Sequence, residues 1–120
     1  MFRRPMIVTL LKAKIHGAHV TAAELDYEGS IAVDSTLLEL AGILPHEKVH
    51  VWNRTNGSRF ETYAITAAPG SGTIMVNGAA AHLAKAGDIV IISAFAQFTA
   101  EESRNHHPTI VLVDQHNHLK

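Results

Sequence analysis

The sequence predicts a mainly β domain, a closed or nearly closed barrel of short strands with a few helical turns. Three observations carry this expectation. Short blocks of β-branched and apolar residues alternate with polar ones through most of the 120 residues. Turn-forming clusters such as Thr55-Asn56-Gly57 and Pro69-Gly70-Ser71-Gly72 separate the blocks. Helical period is confined to a few brief segments. Many strands in so small a chain leave edges that closure removes. No internal repeat or linker divides the chain, and 47% hydrophobic content suffices for one core. A domain of this size is expected to complete a pocket by forming an oligomer.

In chain order, Arg3 and Arg4 precede the apolar run Met6-Ile7-Val8-Thr9-Leu10-Leu11, a superficial likeness to a secretory signal. Thr9 interrupts the run, Lys12 ends it, and no small-residue cleavage site precedes His16, so a buried strand and a cytoplasmic location are the expectation. No run reaches the ~20 residues of a membrane helix. Residues 6–14 and 15–21 read as strands, as do 30–33. Over 34–44 the period becomes helical: Leu37, Leu38, Ala41 and Leu44 share a face, Asp34 or Ser35 serves as N-cap, and Gly42 with Pro45 ends the helix. Strands over 49–53 and 59–67 flank Thr55-Asn56-Gly57, where Asn-Gly suits the positive φ angles of a tight hairpin turn. A turn at 69–72, a strand at 73–76, a short helix at 79–85 and a long apolar strand at 88–98 follow. Residues 100–105 read as helical and 109–114 as strand.

Charge and composition narrow the chemistry. Ten basic against eleven acidic residues, net −1, give no electrostatic reason for a nucleic-acid or membrane partner. Without cysteine there is no disulfide framework, thiolate nucleophile or Cys-ligated zinc. Nine histidines, including His106-His107 and His116-x-His118, suggest a metal site. Adjacent histidines seldom make one and no H-E-x-x-H helix accompanies them, so a polar tail and no metal are expected.

Several separated motifs occur in a telling order: Tyr27-Glu28-Gly29-Ser30, Trp52-Asn53, Thr55-Asn56-Gly57, Arg59-Phe60, Thr62-Tyr63-Ala64-Ile65, and Val76-Asn77-Gly78-Ala79-Ala80-Ala81-His82. On these the chain resembles the pyruvoyl-dependent aspartate 1-decarboxylases over about residues 14–98. The resemblance implies a six-stranded double-psi β-barrel and a homotetramer with active sites at subunit interfaces. It also implies decarboxylation of L-aspartate to β-alanine and carbon dioxide for pantothenate and coenzyme A synthesis. The implied cofactor is a pyruvoyl group made from Ser30 by autocatalytic cleavage into residues 1–29 and 30–120, with neither pyridoxal phosphate nor metal. Some members need a maturation partner. Ile31 stands where a cysteine is common in the family.

Glu28-Gly29-Ser30 is, taken alone, ordinary loop composition. In the functional reading Gly29, lacking Cβ, permits a strained backbone in which the Ser30 hydroxyl attacks the Gly29 carbonyl carbon. The resulting ester eliminates, and the dehydroalanine hydrolyses with loss of ammonia to a pyruvoyl ketone. That ketone condenses with the substrate amine and accepts the electron pair left by carbon dioxide.

Lys14 and Arg59 are either solvated strand-edge charges or substrate cations. A cation gripping the departing carboxylate would mainly stabilise the ground state, so Arg59 is assigned to the retained side-chain carboxylate, bidentately, with Lys14 adding positive potential. Tyr63 is either a barrel aromatic or, by resemblance, the proton donor to the carbon exposed by decarboxylation. Thr62 points away from Tyr63 in a regular strand, yet by resemblance assists cleavage near the Gly29 carbonyl. Asn77-Gly78-Ala79-Ala80 is either a turn into a close-packed helix or a site where Asn77 bonds an intermediate and the amides near Ala79 and Ala80 receive a carboxylate. Trp52 and Ile91 are core or pocket residues; His16, two beyond Lys14, shares its strand face. Two alternatives stay open: an uncleaved barrel acting as a binding module, and a pyruvoyl enzyme for another acidic amino acid such as glutamate.

Overall fold

The computed structural model describes residues 6–120; residues 1–5, including Arg3 and Arg4, lie outside the described residues. The described residues fold as eight strands, two short α-helices and one 3-10 helix. In order these are β1 (Ile7–His19), β2 (Ala22–Glu24), β3 (Ser30–Asp34), α1 (Ser35–Ala41), β4 (Lys48–Asn53), β5 (Arg59–Ala67), β6 (Ile74–Asn77), the 3-10 helix Gly78–His82, β7 (Ile89–Thr99), α2 (Ala100–Ser103) and β8 (Thr109–Leu112). The strands hydrogen-bond in the order β2-β6-β3-β5-β4-β7-β1-β8. Pairs β1/β8, β2/β6 and β3/β5 are parallel and the others antiparallel. The hydrogen-bond order has two ends, β2 and β8, so the sheet is barrel-like without a closing ladder.

Residues 6–21 do not split into two strands; β1 is continuous, and its register against β7 slips between Leu11 and Ala13 and again between His16 and Ala18. Gly17, at φ 83°, is the extra residue of the second slip. The bulge moves the buried face from Ala13 and Ile15 to Ala18 and Val20, so one strand serves two stretches of core. β2, composed of Ala22, Ala23 and Glu24, has no strand propensity and was not anticipated. It forms because Thr21 ties the chain to β6, its amide and hydroxyl donating to Ile74 O at 2.7 and 2.9 Å and its hydroxyl accepting from Ile74 N at 3.0 Å.

Helix α1 is shorter than the periodicity suggested, and its caps explain why. Asp34 accepts the Thr36 amide at 2.9 Å, and Gly42 closes the helix at φ 72°. Leu37, Leu38 and Ala41 pack into the core, whereas Leu44 lies beyond the helix and is exposed. The 55–57 turn also differs from the two-residue form: only Gly57 has positive φ, and the loop spans residues 54–58. Asn53 builds it, Oδ1 accepting the Thr55 and Asn56 amides at 2.9 and 3.3 Å. The helix expected at 79–85 is the 3-10 turn Gly78–His82, and the C-terminal strand stops at Leu112.

The tail is more than a polar extension. Asn117, buried and at φ 61°, donates to His19 O and Gly72 O and accepts the His19 amide, all within 2.8 Å. His106 bonds Leu11 O at 2.6 Å and packs on Phe98. Among the described residues no group of three or more His, Asp or Glu side chains is placed to hold a metal ion, and no helix is long and apolar enough to cross a membrane.

Candidate active site

Ser30 opens β3 directly opposite Asn77, the last residue of β6. Both are buried, and Asn77 Nδ2 donates to Ser30 Oγ at 3.1 Å. Ser30 carries φ 124°, a conformation that residues with a Cβ avoid. The peptide bond preceding it is held too: the Tyr63 hydroxyl donates to Gly29 O at 3.2 Å. A cavity of about 550 Å³, lined by residues 26–30, His46, Tyr63, Ile65 and Asn77, opens at this point. Asn77 Oδ1 is buried there with no partner among the described residues, a free acceptor beside the serine.

The glycines divide the work differently from the sequence expectation. Gly29 has no positive φ; the strain sits on Ser30. Close approach is the task of Gly78, at φ 73°, where a Cβ would lie 2.8 Å from Gly29 Cα, 2.9 Å from Gly29 N and 3.1 Å from Tyr27 O. Ala79 and Ala80 follow in the 3-10 helix, Ala79 exposed and Ala80 half-buried.

The remaining expected residues gather elsewhere on the chain. Cross-strand register aligns His16 on β1 with Ile91 on β7, Ile91 with Trp52 on β4, and Trp52 with Arg59 on β5. Directly paired residues share a sheet face, and Lys14 joins that face two residues before His16. Arg59 lies over the Trp52 ring, its Cζ 5.2 Å from the centroid, within range of a cation–π attraction. Burial, and then the positive charges of Lys14, Arg54 and Lys120, push the His16 imidazole below its ordinary range. Its Nδ1 is buried without a partner among the described residues.

The expected site residues thus fall into two separate groups on one chain. Arg59 and Tyr63 are four residues apart on β5, roughly 13 Å at the usual strand rise, and neither Arg59 nor Lys14 lines the Ser30 cavity. Thr62 lies on the other face from Tyr63, pairs with Val49, and makes no side-chain hydrogen bond among the described residues. Sequence reading missed His46, which lines the cavity at φ 71° with its ring 6.4 Å from that of Tyr63. Its backbone is tied to the strand, His46 N donating to Ala64 O at 2.7 Å. No local pattern announces a non-glycine residue at positive φ.

A strained, buried serine at the mouth of a strand, with the preceding carbonyl held by a tyrosine, defines a small β-protein organised around a single peptide bond. The chain belongs to the aspartate decarboxylase family, whose model it matches over residues 6–120. It is 56% identical over 115 residues to aspartate 1-decarboxylase of Hyphomonas neptunium and 57% identical over 115 residues to that of Caulobacter vibrioides, in each case covering 96% of this chain and 98% of the relative. Against the Legionella pneumophila (strain Paris) enzyme of the same name, identity is 60% over 111 residues, 92% of this chain and 84% of the relative.

Proposed function

We propose that this chain decarboxylates L-aspartate to β-alanine and carbon dioxide in the cytoplasm, supplying pantothenate and coenzyme A synthesis. It first cuts itself between Gly29 and Ser30 into residues 1–29 and 30–120. The observation that carries the reading is Ser30 itself: φ 124°, hydroxyl buried and held by Asn77, next to a carbonyl held by Tyr63. These residues fit conversion of Ser30 to a pyruvoyl group. A hydroxyl already fixed beside its own strained peptide bond needs little further ordering to attack, and the Tyr63 hydrogen bond polarises the carbonyl it would attack. Once formed, the pyruvoyl ketone supplies the electron sink that the decarboxylation needs.

The chain's own groups do the rest. Tyr63, with its hydroxyl in the cavity, donates the proton to the substrate carbon. Asn77 offers its free Oδ1 to a donor on the bound substrate. The turn at Gly78, Ala79 and Ala80 receives one carboxylate, and Arg59 grips the side-chain carboxylate with Lys14 beside it. The distance between Arg59 and the Ser30 cavity supports a homotetramer in which the Arg59 face of one copy completes the Ser30 cavity of another. Tyr63 occupies the place expected for Thr62, so a role for Thr62 in cleavage requires such a neighbour. Trp52, Ile91 and His16 border the substrate from the same face as Arg59.

We also read the architecture as a six-stranded double-psi barrel. β1 and β2 are separated only by Val20 and Thr21, so they count as one bent strand, which Thr21 brings back to β6. β8 is an addition at the edge.

Denaturing intact-mass analysis tests the reading. Expected are two fragments divided after Gly29, the larger about 17 Da lighter than a serine-ended fragment, together with carbon dioxide release from aspartate. A single full-length mass persisting after prolonged warming, with no turnover of aspartate, overturns it.

A further inference from the structure

One backbone oxygen, that of Leu83, receives three side-chain donors from the β4–β5 hairpin. Asn53 Nδ2 and Asn56 Nδ2 each lie at 3.0 Å and Ser58 Oγ at 2.7 Å. A carbonyl oxygen has two lone pairs, so three donors exceed what satisfying that carbonyl requires. The donors are themselves fixed. Asn53, buried, also donates to Asp88 Oδ2 at 2.8 Å, and Asn56 Oδ1 accepts the Ser58 amide at 2.8 Å. Leu83 in turn caps the 3-10 helix, its amide donating to Ala80 O at 2.8 Å.

This clasp joins the two parts of the chain assigned to carboxylates. Arg59 directly follows Ser58, and the 3-10 helix begins at Gly78 and contains Ala79 and Ala80. We propose that Asn53, Asn56 and Ser58 are positioning residues for the decarboxylation. By holding Leu83 they fix Arg59 relative to the Gly78–Ala80 turn of the same chain, and so set the spacing between the carboxylate grip that chain lends to one site and the one it supplies to the next. This rests on the assignment of Arg59 and that turn to substrate binding. None of the three touches substrate; they act through the guanidinium on one side and the turn on the other. Where Arg59 serves the Ser30 cavity of a neighbouring copy, each chain becomes a stiff strut between two sites.

Two variants weaken the clasp from outside the core. Ser58→Ala removes the shortest donor, and Asn56→Asp keeps the acceptor used by the Ser58 amide while presenting an oxygen to the Leu83 carbonyl. Ser58→Thr restores a hydroxyl and serves as the conservative control. Aspartate kinetics, the extent of Gly29–Ser30 cleavage by mass, and the thermal midpoint are measured for each. Expected is wild-type cleavage, kcat within about twofold and KM raised roughly fivefold for Ser58→Ala, the signature of lost binding common to ground and transition states. Asn56→Asp raises KM further and Ser58→Thr returns it to the wild-type value. Unchanged KM in both weakened variants, even with a lower thermal midpoint, overturns the proposal and leaves the enzyme reading standing. A wild-type chain that is cleaved yet does not turn over aspartate overturns the functional reading, and this one with it.

Discussion

At φ 124° the Ser30 backbone stores strain of order 1–3 kcal/mol, and the surroundings that hold it include the contact of Gly78 against Gly29. An alanine at 78 would set its Cβ 2.8 Å from Gly29 Cα and must adopt φ 73° as well. Gly78→Ala is therefore expected to push residues 27–29 away, lower stability by about 2 kcal/mol and slow cleavage at least roughly tenfold. The cleaved fraction by denaturing mass against time checks this, and a wild-type time course would contradict it. The motif order made Ser30, Tyr63, Asn77 and Gly78 legible as one neighbourhood, and the structure brings those four together. The location of the strain was not legible, because a glycine advertises backbone freedom whereas Ser30 is forced by its register with Asn77 and by the Asn77 side chain. His46 was illegible for the same reason.

At the scale of elements, Asp34 organises the start of α1 and the loop before β6. Its carboxylate accepts the amides of Thr36, Gly70 and Gly72, each at 2.9 Å. Burial pushes the carboxyl up, but the backbone donors at Gly72, Gly70 and Thr36 outweigh it and hold the group below its ordinary value. A carboxyl depressed in the folded state contributes stability fully above its unfolded value, 3.8, and loses that contribution as pH falls through the folded value. Wild-type thermal stability is thus expected to decline as pH drops below about 4. Asp34→Ala is expected to be less stable by about 3 kcal/mol at neutral pH, with three amides left without that acceptor, and to show a shallower acid decline. Equal acid slopes for the two proteins would contradict the assignment. The structure uses Asp34 and Gly42 as caps, and these were readable to within a residue or so, Asp34 or Ser35 at the start and Gly42 with Pro45 at the end, because capping is a local matter. The bulge at Gly17, the short β2 and the five-residue hairpin loop were not, since each is fixed by partners distant in sequence: Val113 O near Gly17, Ile74 against Thr21, and Leu83 against the hairpin.

For the whole molecule, the division of groups between the Ser30 cavity and the Arg59 face makes the assembly testable by complementation. On the proposed reading Ser30→Ala lacks the attacking oxygen and Arg59→Ala lacks the carboxylate clamp, so each is expected to be nearly inactive alone. Co-expressed, they should regain a measurable part of wild-type kcat, because an Arg59→Ala chain supplies a processed Ser30 and its Ser30→Ala neighbour supplies the guanidinium. No recovery in mixed oligomers would place both halves of a site within one chain. Size suggested an oligomer and the family resemblance a homotetramer, while the face we assign to the neighbour rests on the cross-strand alignment of His16, Ile91, Trp52 and Arg59. β1 adds a last consequence. It lies between β7 and β8, yet a cut after Gly29 would leave it on the smaller fragment, stripped of its covalent link to both. The precursor can find its fold as a single tethered chain. Once cut, the two pieces could reassemble only by collision, so recovery from denaturant would depend on concentration and fail on dilution. Maturation would then work as a ratchet, erasing the route by which the fold was first reached.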